Sequence, residues 1–262
     1  LNPIMDLKRL FITSEDAPLT ASSRFSSAIV SLVVVLSLAI PIALSSTLVW
    51  DWNTLADYRG FFLRGWMNTL GISIASLALS SLLGIGTALG SSSRILPLRQ
   101  VCVGYITIIR GTPLLAQIYI LYYIVAHAVG IDNRFWSGVF ALSLFSSAYI
   151  AEILRASINA IARSQLESAA AIGLTSSQTL RHVILPQALR TVLPPLAGQF
   201  VSLIKDSSLL SIIGIDELTQ NAKNVASYTL GNFESYLLLA IAYLTLTIPI
   251  LSLIHILTLP TI

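Results

Sequence analysis

Long apolar runs separated by short polar segments dominate the chain. Six runs are long enough to cross a bilayer, which takes about 20 mostly apolar residues. They lie at residues 25–49, 67–90, 101–126, 135–153, 191–214 and 235–258. Because a backbone inside lipid must satisfy its own hydrogen bonds, these runs predict helices rather than open strands. The pattern therefore predicts an all-α polytopic membrane protein with about six transmembrane helices.

Composition supports the membrane assignment and excludes several other classes. The chain of 262 residues is 55% hydrophobic and only 10% charged, whereas a soluble domain carries about 25% charged residues. The run at 25–49 starts far from the N-terminus and has no clear cleavage site after it, so we expect a retained helix rather than a signal peptide. One cysteine, Cys102, predicts no disulfide framework. The three histidines show no metal-ligand spacing, so no metal site is expected.

The positive charges predict the orientation of the chain in the membrane. If the N-terminus is cytoplasmic and six helices alternate, nine Lys and Arg residues fall on the cytoplasmic side and four outside. The cytoplasmic set is Lys8, Arg9, Arg24, Arg94, Arg99, Arg155, Arg163, Arg181 and Arg190, and the outer set is Arg59, Arg64, Arg134 and Lys223. Cytoplasmic loops carry such an excess, which favours this orientation. The charges form no continuous stripe, so nucleic acid is not an expected partner.

A polar interruption in the third run predicts a helix break. Residues 110–113 read Arg-Gly-Thr-Pro. Thr112 can cap a restarting helix, and Pro113 fits the first turn of that helix. Two interpretations remain open at this point. The break is either an ordinary kink whose Arg110 reaches toward the headgroups, or an unwound segment that lines a cavity.

The long polar segment between the fourth and fifth runs predicts a helical hairpin. Ser164 and Glu167 have the spacing of one capping box, and Thr175 and Gln178 that of a second. Gly173, between them, can adopt the left-handed conformation that ends a helix. Two capping boxes around a glycine therefore predict two short helices joined by a tight turn.

The first of these helices is expected to present small side chains to a partner. The predicted face consists of Leu166, Ala169, Ala170 and Gly173. Small side chains permit the close approach of another surface. The apolar group at 183–185, followed by Pro186, is expected to pack the second helix against the membrane domain. The alternative is a surface hairpin without a partner.

Charged residues inside the fifth run are the best candidates for substrate chemistry. An ionised side chain at the bilayer centre costs roughly 2.5–3.5 kcal/mol on insertion scales, so Lys205 and Asp206 must face a cavity or partners. Adjacent residues on a helix point about 100° apart and do not pair well with each other. Each needs another group, such as Glu152, a helix terminus or a zwitterionic ligand. A structural ion pair between helices is the alternative.

Several long stretches resemble the membrane subunit of ABC importers for polar amino acids, the histidine, glutamine and arginine permease group. The resemblance runs from Gly65 to about Leu246 and rests on motifs in the expected order. They are GWMNTL at 65–70, RGTPLLAQ at 110–117, AYIAEILR at 148–155, ILPQALR at 184–190, KDSSLLS at 205–211 and IGIDELT at 213–219. The polar hairpin resembles the cytoplasmic loop by which such a subunit docks on its ATPase.

The resemblance implies an assembly and a division of labour. It implies a second permease subunit (a copy or a relative), two ATPase subunits that bind ATP and Mg²⁺, an external substrate-binding protein and an amino-acid substrate. It implies no catalytic residue, cofactor or metal in this chain. The domains implied are an N-terminal cytoplasmic segment with an extra helix and outer loop at 1–64, and a permease core at 65–262 with a coupling loop at about 155–190. The implied location is the bacterial inner membrane.

Two sets of site residues follow. The ATPase-coupling set is Ser164, Glu167, Ser168, Ala169, Ala170, Gly173 and Leu174. The translocation set is Arg110, Glu152, Lys205, Asp206, Ser207 and Ser208.

Rival functions lack their motifs. No lysine follows a glycine, so the phosphate loop of an ATPase is missing. A membrane hydrolase would need a nucleophile with its base, and no Gly-x-Ser-x-Gly or His-Glu-x-x-His motif occurs. An ion-coupled secondary amino-acid transporter remains the alternative, because it would need intramembrane carboxylates but no docking loop.

Overall fold

The described part of the chain is helical throughout. The computed structural model describes residues 52–258, together with Val30 and Val33. Within these residues there is no strand, so the predicted all-α fold is confirmed. The predicted first helix at 25–49 lies outside the described residues, Val30 and Val33 apart, and the domain boundary after residue 64 stays a prediction.

The first half of the described chain contains five helices, two of which form a bent pair. The helices are α1 (Trp52–Asp57), α2 (Arg59–Ser91), α3 (Leu96–Gly111), α4 (Leu114–Ile120) and α5 (Arg134–Asn159), and α4 continues as a π-helical segment (Leu121–Ala126). The side chain of Asn133 starts α5 by accepting hydrogen bonds from the backbone N–H groups of Phe135 and Trp136.

The second half begins with two short helices and continues through changes of helical winding. The helices are α6 (Arg163–Ala171), α7 (Ser176–Thr179), α8 (Leu185–Asp206), α9 (Leu218–Thr229) and α10 (Asn232–Thr258). A π-helical segment (Leu180–Ile184) joins α7 to α8, and a 3-10 segment (Ser207–Ile213) follows α8.

The membrane-crossing elements agree with the predicted runs. In the described residues, four stretches are long and apolar enough to cross a bilayer: Arg59–Ser91, Arg134–Asn159, Ser176–Ile213 and Phe233–Ser252. The pair Leu96–Gly111 and Leu114–Ala126 passes the same test together and is bent by 114°. Each element overlaps one predicted run between residues 67 and 258.

Two helices start earlier than the apolar pattern predicts. The second predicted run begins at residue 67, but α2 begins at Arg59, because charged residues such as Arg64 are compatible with a helix that extends beyond lipid. The fifth predicted run begins at residue 191, but α8 begins at Leu185. Pro194 and Pro195 therefore lie inside α8 and do not begin it. Their missing N–H groups leave two backbone carbonyls without their usual helical donors.

The closest helix pair, α2 and α5, forms the frame of the unit. At Gly84, a β-carbon would lie 2.8 Å from the Ile150 side chain, so only glycine permits this approach. The fully buried Ser76 links the same two helices, since its hydroxyl donates to the Val139 carbonyl at 3.4 Å, whereas the Ser143 hydroxyl donates to Val139 within its own helix at 2.6 Å. Helices α3, α8 and α9 also pack against this pair.

Two apolar clusters attach the remaining helices to this frame. The first joins α2, α4, α5 and the end of α8 through Ile72, Ile118, Val139, Leu142, Leu203, Leu210, Ile213 and Ile215. The second joins α1, α2, α8, α9 and α10 through Leu55, Phe62, Ile204, Leu218, Ala222, Val225 and Leu246. The first cluster contains Ile118, so the second arm of the bent pair is fixed against α5.

Candidate functional site

The predicted hairpin is present, as α6 and α7 with a tight turn between them. Gly173 has φ +78°, and the backbone N–H groups of Gly173 and Leu174 donate to the carbonyls of Ala170 and Ala169, both at 3.0 Å. This is the Schellman arrangement that ends many helices. Thr175 and Gln178 form the predicted capping box, with hydrogen bonds in both directions. The turn is therefore specified entirely by local contacts.

The first predicted capping box is wrong. The residue with extended backbone before α6 is Ala162, and Ser164 lies inside the first turn of the helix. No side chain caps this end of α6. The box requires the hydroxyl on the non-helical residue, and here the chain leaves α5 and turns two residues earlier than the motif assumes.

The coupling set is brought together on an exposed surface, with one exception. Ser164, Glu167, Ser168, Ala170 and Gly173 are exposed and Leu174 is half-buried, whereas Ala169 faces inward and is buried. The small face is therefore narrower than predicted. Sequence reasoning missed Ile172, whose side chain is 76% exposed beside the turn. Its apolar exposure in a polar hairpin was the available signal.

The predicted group at 183–186 has a different role. Residues 183 and 184 belong to the π-helical segment, and Pro186 lies in the first turn of α8. Proline is tolerated there because that N–H is not needed within the helix. The hairpin therefore runs directly into a membrane-crossing helix, and the expected packing of residues 183–185 against the membrane domain stays a prediction.

The predicted break in the third run is present, with different caps. Thr112 is the residue after α3, not the start of α4, and its hydroxyl donates to the Ile108 carbonyl at 2.8 Å. Pro113 precedes α4, which begins at Leu114. Both residues have negative φ, −121° and −64°. The sharp bend is thus made by two extended residues rather than by a left-handed glycine.

A buried amide spans this break. Gln117, only 6% exposed, donates through Nε2 to the Ile109 carbonyl at 2.7 Å, the Thr112 carbonyl at 3.1 Å and the Thr112 hydroxyl at 2.8 Å. These contacts satisfy carbonyls that a helix terminus leaves without partners. Sequence reasoning included Gln117 in a motif but gave it no role, because such a contact depends on the bend angle.

Arg110 and Glu152 line the same cavity next to the break and form an ion pair with each other. Arg110 Nη1 lies 3.8 Å from Glu152 Oε1, and its guanidinium lies 5.6 Å from the centre of the Tyr149 ring. Glu152 is also held by Arg155, whose Nε donates to Oε2 at 3.1 Å. The cavity between α3 and α5 has a volume of about 530 Å³. It is partly open, and Arg99 also lines it.

Two of the six predicted translocation residues, Arg110 and Glu152, line this cavity. Lys205 to Ser208 lie at the junction of α8 with the 3-10 segment and do not line it. Lys205 is exposed, Asp206 and Ser208 are half-buried, and Ser207 is fully buried with its hydroxyl donating to the Ile204 carbonyl at 2.7 Å. The structure therefore separates the predicted set into two groups.

A third polar centre, which sequence reasoning missed, surrounds Glu217. This fully buried carboxylate accepts from the backbone N–H groups of Thr219 at 2.8 Å and Gln220 at 2.7 Å, and from the Tyr243 hydroxyl at 3.0 Å. It caps the start of α9. Burial raises the pKa of Glu217 from 4.5 to about 7, although the three donors favour its charged form.

Comparison with known proteins identifies the family. Residues 80–258 match the model of the binding-protein-dependent transport system inner membrane component. The chain belongs to this family. The probable glutamine ABC transporter permease protein GlnM of Bacillus subtilis (strain 168) is 37% identical over 198 residues, which cover 76% of this chain and 92% of that protein. The arginine transport system permease protein ArtQ of the same organism is 33% identical and covers 76% of this chain and 91% of the relative.

Solved structures agree with this assignment. A chain in the crystal structure of an amino acid ABC transporter with histidines has a TM-score of 0.74 and 35% identity, covering 80% of this chain and 98% of that chain. The MetNI methionine ABC transporter shares the fold, with a TM-score of 0.63 at 18% identity. The protein is thus a permease subunit of an amino-acid ABC importer, which favours the importer over the ion-coupled alternative. It is a transport subunit and not an enzyme, because in this family ATP is hydrolysed by a separate subunit.

Proposed function

We propose that this permease binds a zwitterionic polar amino acid in the cavity that Arg110 and Glu152 line, where the ligand would replace their ion pair with each other. The observation that carries the proposal is the placement of opposite charges 3.8 Å apart at a helix break. An amino acid carries an α-carboxylate and an α-ammonium group. The carboxylate would pair with Arg110 and the ammonium with Glu152, which offsets the cost of removing both charges from water.

The second group of predicted residues extends the proposed route. Lys205 is exposed on a membrane-crossing stretch, where contact with lipid would be costly. A water-filled path or a neighbouring subunit would remove that cost. We place Lys205, Asp206, Ser207 and Ser208 along the path near the interface with the second permease subunit.

The cavity is tested by removing one charge at a time. Arg110→Gln and Glu152→Gln should each lower uptake at least tenfold in proteoliposomes containing the whole importer and its binding protein, while the complex still assembles and retains basal ATP hydrolysis. Arg94→Gln, an exposed arginine outside the cavity lining, is the matched control. Normal uptake in both cavity variants would refute the proposed site.

A separate variant tests the extension of the route. Asp206→Asn keeps the size of the side chain and removes its charge. Uptake should fall, or the preference between cationic and neutral amino acids should change. Unaltered transport and selectivity would make Asp206 structural, without affecting the test of Arg110 and Glu152.

The exposed hairpin is the proposed docking site for an ATPase subunit, which would bind ATP and Mg²⁺. Gly173 leaves the turn narrow, and the hairpin exposes the apolar side chains of Leu166, Ile172 and Leu180. A group of exposed apolar side chains on a polar segment is expected where a partner covers it. Ile172→Asp should uncouple substrate-stimulated ATP hydrolysis from transport, and the variant should still insert into the membrane.

The proposed assembly has two permease subunits related by a two-fold axis, two ATPases and an external binding protein. A β-carbon at Gly198 would meet no atom of the described residues within 4 Å, so the packing within this part of the chain does not require that glycine. Small residues permit close approach between membrane helices, which supports a partner on this face of α8. In the proposed orientation, the N-terminus and the hairpin are cytoplasmic and the membrane is the bacterial inner membrane. A transport-competent complex with one permease subunit, measured by mass in detergent, would contradict the pairing.

A further inference from the structure

The break between α3 and α4 interrupts a bent pair of helices that is together long and apolar enough to cross a membrane. The last carbonyls of a helix have no donor within that helix, and lipid supplies none. Thr112 satisfies the Ile108 carbonyl through its hydroxyl. The Ile109 and Thr112 carbonyls both receive hydrogen bonds from Gln117. The Gln117 side chain on α4 therefore caps the C-terminal end of α3.

The chemistry of its neighbours fixes the orientation of the Gln117 amide. The two carbonyls are pure acceptors, and the Thr112 hydroxyl already uses its hydrogen on Ile108. Only the NH₂ group of the amide can serve these acceptors, with its two hydrogens shared among the three oxygens. The oxygen then points the other way, where it is buried and has no hydrogen-bond partner among the described residues.

A buried acceptor without a hydrogen-bond partner is unfavourable. An apolar side chain of similar length would avoid that cost. The contacts made by the nitrogen must therefore contribute more than packing alone, and their geometry indicates what they contribute. They tie two points on either side of Arg110 to a helix that is itself anchored in the core by Ile118.

We propose that Gln117 is the positioning residue of the cavity: it locks the α3–α4 bend and thereby holds the Arg110 guanidinium opposite Glu152. Gln117 would not contact the substrate. The lock itself is independent of what the cavity binds, whereas its effect on affinity rests on the proposed function. Without the lock, Arg110 would keep its charge but lose its fixed distance from Glu152.

The test removes the donor and keeps the shape. Gln117→Met is prepared in the complete importer, in a Cys102→Ala background, with spin labels at Val101 on the first arm and Tyr123 on the second, both exposed. Labelled permease is diluted with unlabelled permease so that distances within one subunit dominate. The distance distribution should broaden or shift relative to the wild type. Gln220→Met is the matched control, because Gln220 donates to Asn224 on α9, away from the cavity.

A second readout separates positioning from general damage. Substrate affinity of the permease–ATPase complex in nanodiscs should fall about tenfold in Gln117→Met, while basal ATP hydrolysis stays unchanged. Thr112→Val, which removes one acceptor of the amide, should give a smaller change in the same direction. It also serves if Gln117→Met fails to accumulate.

The outcomes distinguish the two proposals. An unchanged distance distribution in Gln117→Met or Thr112→Val would refute the lock. A changed distribution with unchanged affinity, when Arg110→Gln does weaken binding, would refute positioning and leave the cavity assignment intact. A changed distribution with binding unaffected in both Gln117→Met and Arg110→Gln would support the lock and overturn the cavity as the substrate site.

Discussion

Two of the breaks in the helical backbone, one between α6 and α7 and one between α3 and α4, satisfy their backbone groups with different kinds of hydrogen bond. At the first, Gly173 adopts a left-handed conformation and neighbouring backbone groups satisfy each other. At the second, no residue has positive φ, and Thr112 and Gln117 supply side-chain hydrogen bonds. The local break is on the exposed hairpin, and the side-chain break is in a membrane-crossing pair.

The solvent explains the difference. Carbonyls left free on the hairpin can bind water, so a local backbone motif is sufficient. Carbonyls left free in lipid cost several kcal/mol each, so every one needs a donor from the protein. A break in water therefore depends on one conformation, whereas a break in the membrane depends on particular side chains at longer range.

Glu217 caps a helix with a buried carboxyl group, a third way of satisfying a helix end. Its protonation has the largest effect on stability that we expect. Because burial raises its pKa to about 7 from 4.5, the folded chain binds this proton more tightly than the unfolded chain does. The contribution of Glu217 to the free energy of unfolding is fully present below pH 4.5 and is lost as the pH rises through about 7. The free energy of unfolding changes by about 3 kcal/mol over this whole range.

This dependence is measurable as the unfolding temperature of the permease in nanodiscs between pH 5 and pH 8. The wild type should lose several degrees as the pH rises, and Glu217→Gln should lose much less. Glu167→Gln, at an exposed position, is the matched control and should follow the wild type. Equal slopes for Glu217→Gln and the wild type would show that Glu217 does not titrate in this range.

Gly173 tests whether the exposed break depends on conformation alone. A β-carbon there meets no atom within 4 Å, but φ is +78°. Gly173→Ala should therefore cost about 1–2 kcal/mol without any clash. Gly173→Val should cost more and should lower both transport and substrate-stimulated ATP hydrolysis. Gly173→Asn, which tolerates this conformation, should retain most coupling. Equal loss in the alanine and asparagine variants would contradict a purely conformational role.

The smallest expected effects on stability concern two hydroxyl groups. Thr175 caps α7, whereas Ser164 was predicted to cap α6 and does not. Thr175→Ala removes a capping hydrogen bond and should destabilise the hairpin by about 1 kcal/mol. Ser164→Ala removes a hydroxyl that caps nothing and should change stability by less than about 0.5 kcal/mol. Hydrogen exchange of the α6–α7 backbone measures both. A larger effect at Ser164 would restore the first capping box.

The apolar pattern predicted the membrane-crossing elements well because lipid imposes a simple rule on composition. It also placed the break at residues 110–113, since Gly and Pro are strong local signals. The starts of α2 and α8 were less predictable, because a helix does not have to end where lipid ends. Ser164 failed as a cap because its motif describes spacing but not which residue is extended.

The candidate site was only partly readable from the sequence. Arg110 and Glu152 stood out because charges are rare in apolar runs. Their meeting depends on the bend and on the packing of α3 against α5, which spacing alone does not determine. Gln117 and Glu217 belong to recognised motifs, but their contacts join residues whose proximity arises only in the folded chain.

The stretch from Ser176 to Ile213 contains 38 residues of continuous helical winding. It is loosely wound at Leu180–Ile184, regular along α8 and tightly wound from Ser207. Because no loop interrupts this stretch, we expect a rotation of the hairpin to be transmitted along the helix. The two prolines inside α8 remove backbone hydrogen bonds, so the middle of this helix is easier to deform. We therefore expect part of any rotation to deform α8 before it reaches Lys205.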